Sequence, residues 1–133
     1  MSKHMSVLVV DTDQAFKDSI VNLLLACGFE KFEMASSTEE AEEKISESFF
    51  DIVLVDLFMP QMNGLHFAQK LGKRMPTTKV FLLIEDQLQP ALNDGRQAKL
   101  NVPTILKSFV SRNLPQLLSE KSMFVDALRD LSN

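Results

Sequence analysis

Four short segments, each opening on a charged residue directly after an apolar run, hold most of the chain's capacity for chemistry: Asp11-Thr12-Asp13, Asp56-Leu57-Phe58, Glu85-Asp86 and Lys107-Ser108. Carboxylates gathered around one lysine suit a site that holds a divalent cation and an anionic group together. The metal and the ammonium offset charge that would otherwise repel. Within such a set Asp56 is the natural nucleophile. Each residue taken singly has a plainer reading. An aspartate after a strand is commonly a helix cap or turn former, and a lone lysine is usually a solvated surface charge. Only their convergence in one fold makes a site of them.

Convergence needs elements that carry these clusters to one edge. Val7-Leu8-Val9-Val10, Ile52-Val53-Leu54-Val55 and Val80-Phe81-Leu82-Leu83-Ile84 are continuous apolar runs bounded by polar residues, the pattern of strands buried on both faces. Residues 32–35 and 102–106 are weaker strand candidates, the second entered through Pro103, which is tolerated at a strand start or a sheet edge. Helical patterns alternate with the strands. Phe16, Ile20, Leu23 and Leu24 share one face of a first helix that Gly28 stops. Ser37-Thr38-Glu39-Glu40 reads as a capping box, with Ser37 as N-cap and Glu40 reaching back, for a second helix with Ala41 and Ile45 inward. The acidic residues Glu39, Glu40, Glu42 and Glu43 form its solvated face. Residues 64–75 predict a third helix through Leu65, Phe67, Ala68 and Leu71, closed by Pro76, and residues 90–100 a poor fourth interrupted by Gly95. Strands alternating with helices through short loops imply right-handed crossovers and a single α/β domain: a five-stranded parallel sheet covered on both faces. Such sheets bind ligands at the carboxyl ends of their strands, which is where the four clusters fall.

The segment Asp56-Leu57-Phe58-Met59-Pro60-Gln61-Met62-Asn63-Gly64 follows a buried apolar strand. It resembles the phosphorylation loop of the receiver domains of two-component response regulators, in which the aspartate is followed by Met-Pro and later by Gly at the next helix. The resemblance runs from Val7 to about Leu118, with Asp11 and Lys107 in the family's order. It implies a flavodoxin-like, doubly wound sheet of strand order 2-1-3-4-5, a receiver-like domain over residues 6–119 and a C-terminal helical extension over residues 120–133. It also implies a phosphorelay role rather than an enzyme's turnover, and with one cysteine and no apolar run near the N-terminus long enough for a signal peptide or a membrane span the expected compartment is the cytoplasm. Asp56 would be the phosphoacceptor, taking a phosphoryl group from a sensor histidine kinase or phosphotransfer protein, and Lys107 would contact the phosphoryl oxygens. Asp11, Asp56 and the backbone carbonyl of Phe58 would hold Mg²⁺. The signal would then pass on through protein–protein contacts.

The chain departs from the family's pattern at several positions. Thr12 stands where a second acid usually follows the first, so a direct carboxylate ligand is missing and Mg²⁺ binding is expected to be weak. Asp13, one residue further on, is a further candidate that would reach the ion through water or a shifted loop. Ile84 occupies the place of a threonine or serine whose hydroxyl bonds the phosphoryl group, and Thr104 that of a switching aromatic. Ser108 replaces a proline that typically makes a cis bond. A cis bond before serine costs roughly 2.5–4 kcal/mol, so the Lys107–Ser108 bond is expected to be trans, with Lys107 displaced as a consequence. Leu100 and Asn101 stand in place of a Gly-Ala pair before the last strand.

These losses define an alternative: a phosphorylation-independent pseudo-receiver acting as a binding or dimerisation module. A third reading takes Asp11-Thr12-Asp13 as the Asp-x-Asp start of a haloacid-dehalogenase-type phosphatase. Ala15 is wrong for that motif, and the chain is too short for its later parts. A flavin site fails because no Ser/Thr- and Gly-rich loop follows Val10 and the chain has neither Trp nor Tyr.

Composition narrows the partners. The 133 residues carry 14 Lys and Arg against 18 Asp and Glu, a net charge of −4 that argues against direct nucleic-acid binding, which needs a concentrated basic face. No apolar run is long enough for a membrane span, and the single Cys27, in an apolar stretch, reads as core filler. His4 and His66 lack metal-site neighbours, and His66 reads as a helix-surface residue. Leu114, Leu117, Lys121, Phe124, Leu128 and Leu131 recur at three-and-four spacing, the pattern of a long final helix. That helix is expected to pack its first half on the sheet while the rest frays, or alternatively to serve as a short dimerisation or partner-docking helix, with a homodimer through the last helices.

Overall fold

In the computed structural model, the structure describes residues 5–26, 28–59, 62–85 and 102–108. The elements run β1 (Ser6–Val10), α1 (Gln14–Ala26), β2 (Lys31–Ala35), α2 (Thr38–Glu47), β3 (Ile52–Asp56), β4 (Phe58–Met59), β5 (Met62–Asn63), α3 (Gly64–Arg74), β6 (Lys79–Ile84) and β7 (Thr104–Leu106). The five longer strands form one parallel sheet in the order β2-β1-β3-β6-β7. With the small β4–β5 hairpin set aside, this is the order 2-1-3-4-5 that the resemblance implies. Residues 90–100, the C-terminal residues 109–133, Cys27 and His4 lie outside the described residues, and so do the expectations that fall on them.

The apolar runs are buried on both faces, as read from the sequence, and their alternation sorts the core into two layers. Val7, Val9, Ile52, Leu54, Phe81 and Leu83 meet α1 through Phe16, Ile20, Leu23 and Leu24. Leu8, Val10, Val53, Val55, Val80, Leu82 and Ile84 meet Ala41 of α2 and Phe67, Ala68 and Leu71 of α3. Parallel strands sandwiched between helices have no solvent face, so the central strands are apolar except at their ends, where Ser6, Asp56 and Lys79 stand.

Local chemistry sets the helix ends. Beyond α1, Gly28 takes a φ of 90° and the Phe29 N–H donates to the Leu24 carbonyl, a left-handed turn that glycine adopts at little cost. Asp13 opens α1, its Oδ1 accepting from the Phe16 N–H. Ser37 caps α2, its Oγ accepting from the Glu40 N–H at 3.0 Å, and the Glu40 carboxylate returns to the Ser36 N–H at 2.8 Å. The reciprocal bond thus falls one residue earlier than an ideal capping box places it. Ser37→Ala is expected to lower stability by about 1 kcal/mol, read from the shift of a urea-unfolding midpoint at constant slope. The acidic face of α2 is only partly solvated, because Glu42 pairs with Arg74 of α3 at 2.6 Å.

Two elements differ from expectation. The last strand is three residues long rather than five, because Pro103 has no N–H to donate; its carbonyl instead accepts from the Leu82 N–H at the start of the ladder. The loop after Asp56 contains the antiparallel β4–β5 pairing, Phe58 opposite Asn63 and Met59 opposite Met62. No periodicity marks so short a hairpin.

Candidate functional site

Register brings the clusters together. Val7 pairs with Ile52 and Val10 with Val55, so Asp11 falls beside Asp56 one residue beyond the β1–β3 ladder. Leu83 pairs with Ile105 and Ile84 with Leu106, which sets Glu85 across from Lys107 by the same count. Strand side chains alternate, so residues 11, 56, 85 and 107 share the parity of the positions that face α1. All four therefore open on one side of one sheet edge.

The resulting site is a lysine among carboxylates. Lys107 Nζ lies 2.9 Å from Asp11 Oδ2, 3.8 Å from Asp56 Oδ2 and 3.7 Å from Glu85 Oε1. Asp11 is fully buried and Asp56 and Lys107 nearly so, whereas Glu85 stands half-exposed at the mouth. The Phe16 ring lies under the ammonium, 4.8 Å from its centroid, a cation–π contact. Burial, then the neighbouring Asp11 charge, pushes the Asp56 carboxyl up from an ordinary value of 3.8 to about 6, against the opposing pull of Lys107 and the Phe58 N–H. Burial lowers the Lys107 ammonium, but contact with Asp11 and the charges of Asp11, Asp56 and Glu85 outweigh it and hold Lys107 above its usual range.

The loop that carries Asp56 is fixed from both ends. Asp56 Oδ1 accepts from the Phe58 N–H at 3.3 Å, and the Leu57 N–H donates to the Leu83 carbonyl. At the far end Asn63 caps α3, accepting from the Leu65 and His66 N–H groups, and His66 is exposed on that helix as expected. Gly64 closes the loop: its N–H donates to the Leu57 carbonyl at 3.1 Å, and a Cβ there would lie 1.9 Å from the Asp56 carbonyl oxygen. This close approach explains the glycine that the sequence shows only as part of a motif.

The diverged positions are distributed unequally around the site. Thr12 is exposed beside Asp11. Asp13 is exposed too, and its carboxylate is engaged as the cap of α1 while its N–H donates to Asp11 Oδ1 at 2.9 Å. Ile84 is 3% exposed and belongs to the apolar layer under α3, so a hydrocarbon fills that position. Thr104 is half-buried in β7, opposite Leu82. No peptide bond among the described residues is cis, the Lys107–Ser108 bond included, and Lys107 nonetheless reaches the carboxylates. It sits nearer Asp11 than Asp56.

The donor set can be tested against a divalent cation. Asp11 Oδ2 is buried and faces the Lys107 ammonium at 2.9 Å, with no other hydrogen-bond partner among the described residues, so it is a carboxylate oxygen already serving a cation. Asp56 supplies a second hard oxygen. Among the described residues no group of three or more His, Cys, Asp or Glu gathers as a metal cluster. Two carboxylates suit Mg²⁺, which keeps several waters and binds through one or two carboxylates together with a phosphate; they do not suit an all-protein cage. The residues present fit that ion.

Residues 7–119 match the response regulator receiver domain. The chain belongs to this family. It is 32% identical over 76 residues to the chemotaxis protein CheY of Thermotoga maritima, a match covering 57% of this chain and 63% of that protein. It is also 32% identical over 78 residues to a protein-glutamate methylesterase/protein-glutamine glutaminase of Archaeoglobus fulgidus, covering 59% of this chain but 22% of that one. The match thus spans less than two thirds of either relative. A CheY-like receiver domain protein from Methanospirillum hungatei superposes with a TM-score of 0.68 at 26% identity, over 95% of this chain and 97% of the other. Among the described residues of this receiver domain, no helix is long and apolar enough to cross a membrane.

The sequence alone places Glu85 at this edge without assigning it a role and marks Phe16 only as a residue of the inward face of α1. The parity shared by Leu83 and Glu85 was the available signal for the first. For Phe16 there was none, since its contact with Lys107 joins α1 to the end of β7.

Proposed function

We propose that this receiver domain accepts a phosphoryl group on Asp56 from a sensor histidine kinase or phosphotransfer protein and relays it by protein–protein contact. The observation that carries this reading is a single ammonium, Lys107, lying between the buried carboxylates of Asp11 and Asp56 at the carboxyl edge of the sheet. In the transfer an Asp56 oxygen attacks phosphorus, the new P–O bond forms as the donor's P–N bond breaks, and the donor nitrogen keeps the electron pair and takes a proton. Lys107 contacts the phosphoryl oxygens. Asp11, Asp56 and the Phe58 carbonyl would hold Mg²⁺, which would supply positive charge against the transferring group. Asp13, whose Oδ1 caps α1, would reach the ion only through water or a shifted loop, and with Thr12 in the second acidic place the ion would bind weakly.

The test is intact mass after incubation with Mg²⁺ and acetyl phosphate. A gain of one phosphoryl group on the wild type, absent in Asp56→Asn, is expected. One observation favours a second reading: Ile84 seals with hydrocarbon the position from which a hydroxyl would bond the phosphoryl group. A pseudo-receiver that binds partners without phosphate follows if the wild type takes no label under conditions that label an ordinary receiver.

A further inference from the structure

Lys107 is surrounded by more negative charge than a phosphoryl contact requires. Glu85 is drawn into the site by register alone, and its Oε1 stands 3.7 Å from Nζ, as near as Asp56 Oδ2 at 3.8 Å. Asp11 is nearer than either, at 2.9 Å, and the Phe16 ring supports the ammonium from the α1 side. Glu85, Phe16, Lys107 and Ser108 also line one cleft of about 320 Å³ that Asp56 does not border. Three carboxylates thus share one cation, and two of them pull it without accepting any phosphoryl group. The position matters more here than with a hydroxyl nearby, because Ile84 offers the incoming group no second donor.

We propose that Glu85 is a positioning residue: with Asp11 it restrains the Lys107 ammonium and holds it back from the group that Asp56 receives. The inference rests on the phosphoacceptor reading for its consequence and on the distances alone for the restraint. Glu85 is half-exposed, so its hold is screened by water and modest. A phosphoryl group on Asp56 has to draw Lys107 away from it, and the ease of that exchange tunes how fast the site loads.

The experiment compares the full chain as wild type, Glu85→Gln, Lys107→Met and the double variant, following phosphoryl mass gain with acetyl phosphate and Mg²⁺, beside crystal structures of wild type and Glu85→Gln. Glu85→Gln is expected to load roughly two- to fivefold faster than wild type. In the Lys107→Met background the same change is expected to do nothing, because there is no ammonium left to release. The Nζ–Asp56 Oδ2 separation is expected to contract in Glu85→Gln toward about 3 Å. Equal acceleration in both backgrounds overturns the proposal, since Glu85 then acts by plain repulsion of the donor; so does no acceleration in either. If the wild type itself takes no label, the phosphoacceptor reading fails, and the crystal distance decides the restraint: contraction supports it and an unchanged distance overturns it.

Discussion

Gly64→Ala is expected to destabilise the receiver domain by about 3 kcal/mol and to abolish phosphoryl acceptance at the same time. The added Cβ would lie 1.9 Å from the Asp56 carbonyl oxygen and 2.8 Å from that of Leu57. Both obstacles are backbone. Neither rotates away as a flexible side chain would, and β3, to which Asp56 belongs, is paired on both sides by β1 and β6. Relief therefore comes from moving the loop that aims the Asp56 carboxylate. It also breaks the bond from the Gly64 N–H to the Leu57 carbonyl. Urea unfolding checks the stability, and mass labelling checks the loading. A variant within about 0.5 kcal/mol of wild type that still labels would show that the close approach is dispensable.

Asp56→Asn is expected to make the domain more stable above pH 6, by about 1–2 kcal/mol, while removing its capacity to load. The sign follows from the direction of the shift. Burial and the Asp11 charge raise the folded-state carboxyl to about 6 from 3.8, so the native state holds its proton more tightly than the unfolded chain does. The stability tied to that proton is complete below about pH 4, where both states carry it. It is lost as the pH rises through 6, where the native site ionises. Wild-type stability is thus expected to fall between about pH 4 and 6 by more than that of Asp56→Asn, and the two curves to converge at the acid end. Parallel curves would mean that Lys107 already neutralises the site. Most paired carboxylates behave in the opposite way; this one is held at a cost to the fold, as a group kept for chemistry often is.

The three apolar runs identified their strands because they are short, rich in Val, Ile and Leu, bounded by polar residues and alternate with helical patterns, as strands buried on both faces do. The caps at Ser37 and Gly28 were equally legible, since they are bonds between residues three to five apart in the chain. The order of residues from Asp56 to Gly64 carries the family resemblance, and the polar residues that follow the apolar runs single out Asp11, Asp56 and Lys107. Other features were not legible. The shortened β7 depended on where Pro103 meets Leu82, and the Glu40 return to Ser36 depended on a side chain's reach.

What the amino-acid order determined was therefore the parts: which segments are strands, which ends carry carboxylates and which end carries the lysine. Only the tertiary structure decided how those ends share charge. The pairing of Leu83 with Ile105 sets Glu85 against Lys107, and the packing of α1 sets Phe16 beneath it. The same assembly leaves Lys107 closer to Asp11 than to Asp56. Such distances arise between residues tens of positions apart. A one-residue change of register would reverse which face each side chain takes without altering a single local preference, so no local pattern could have set them.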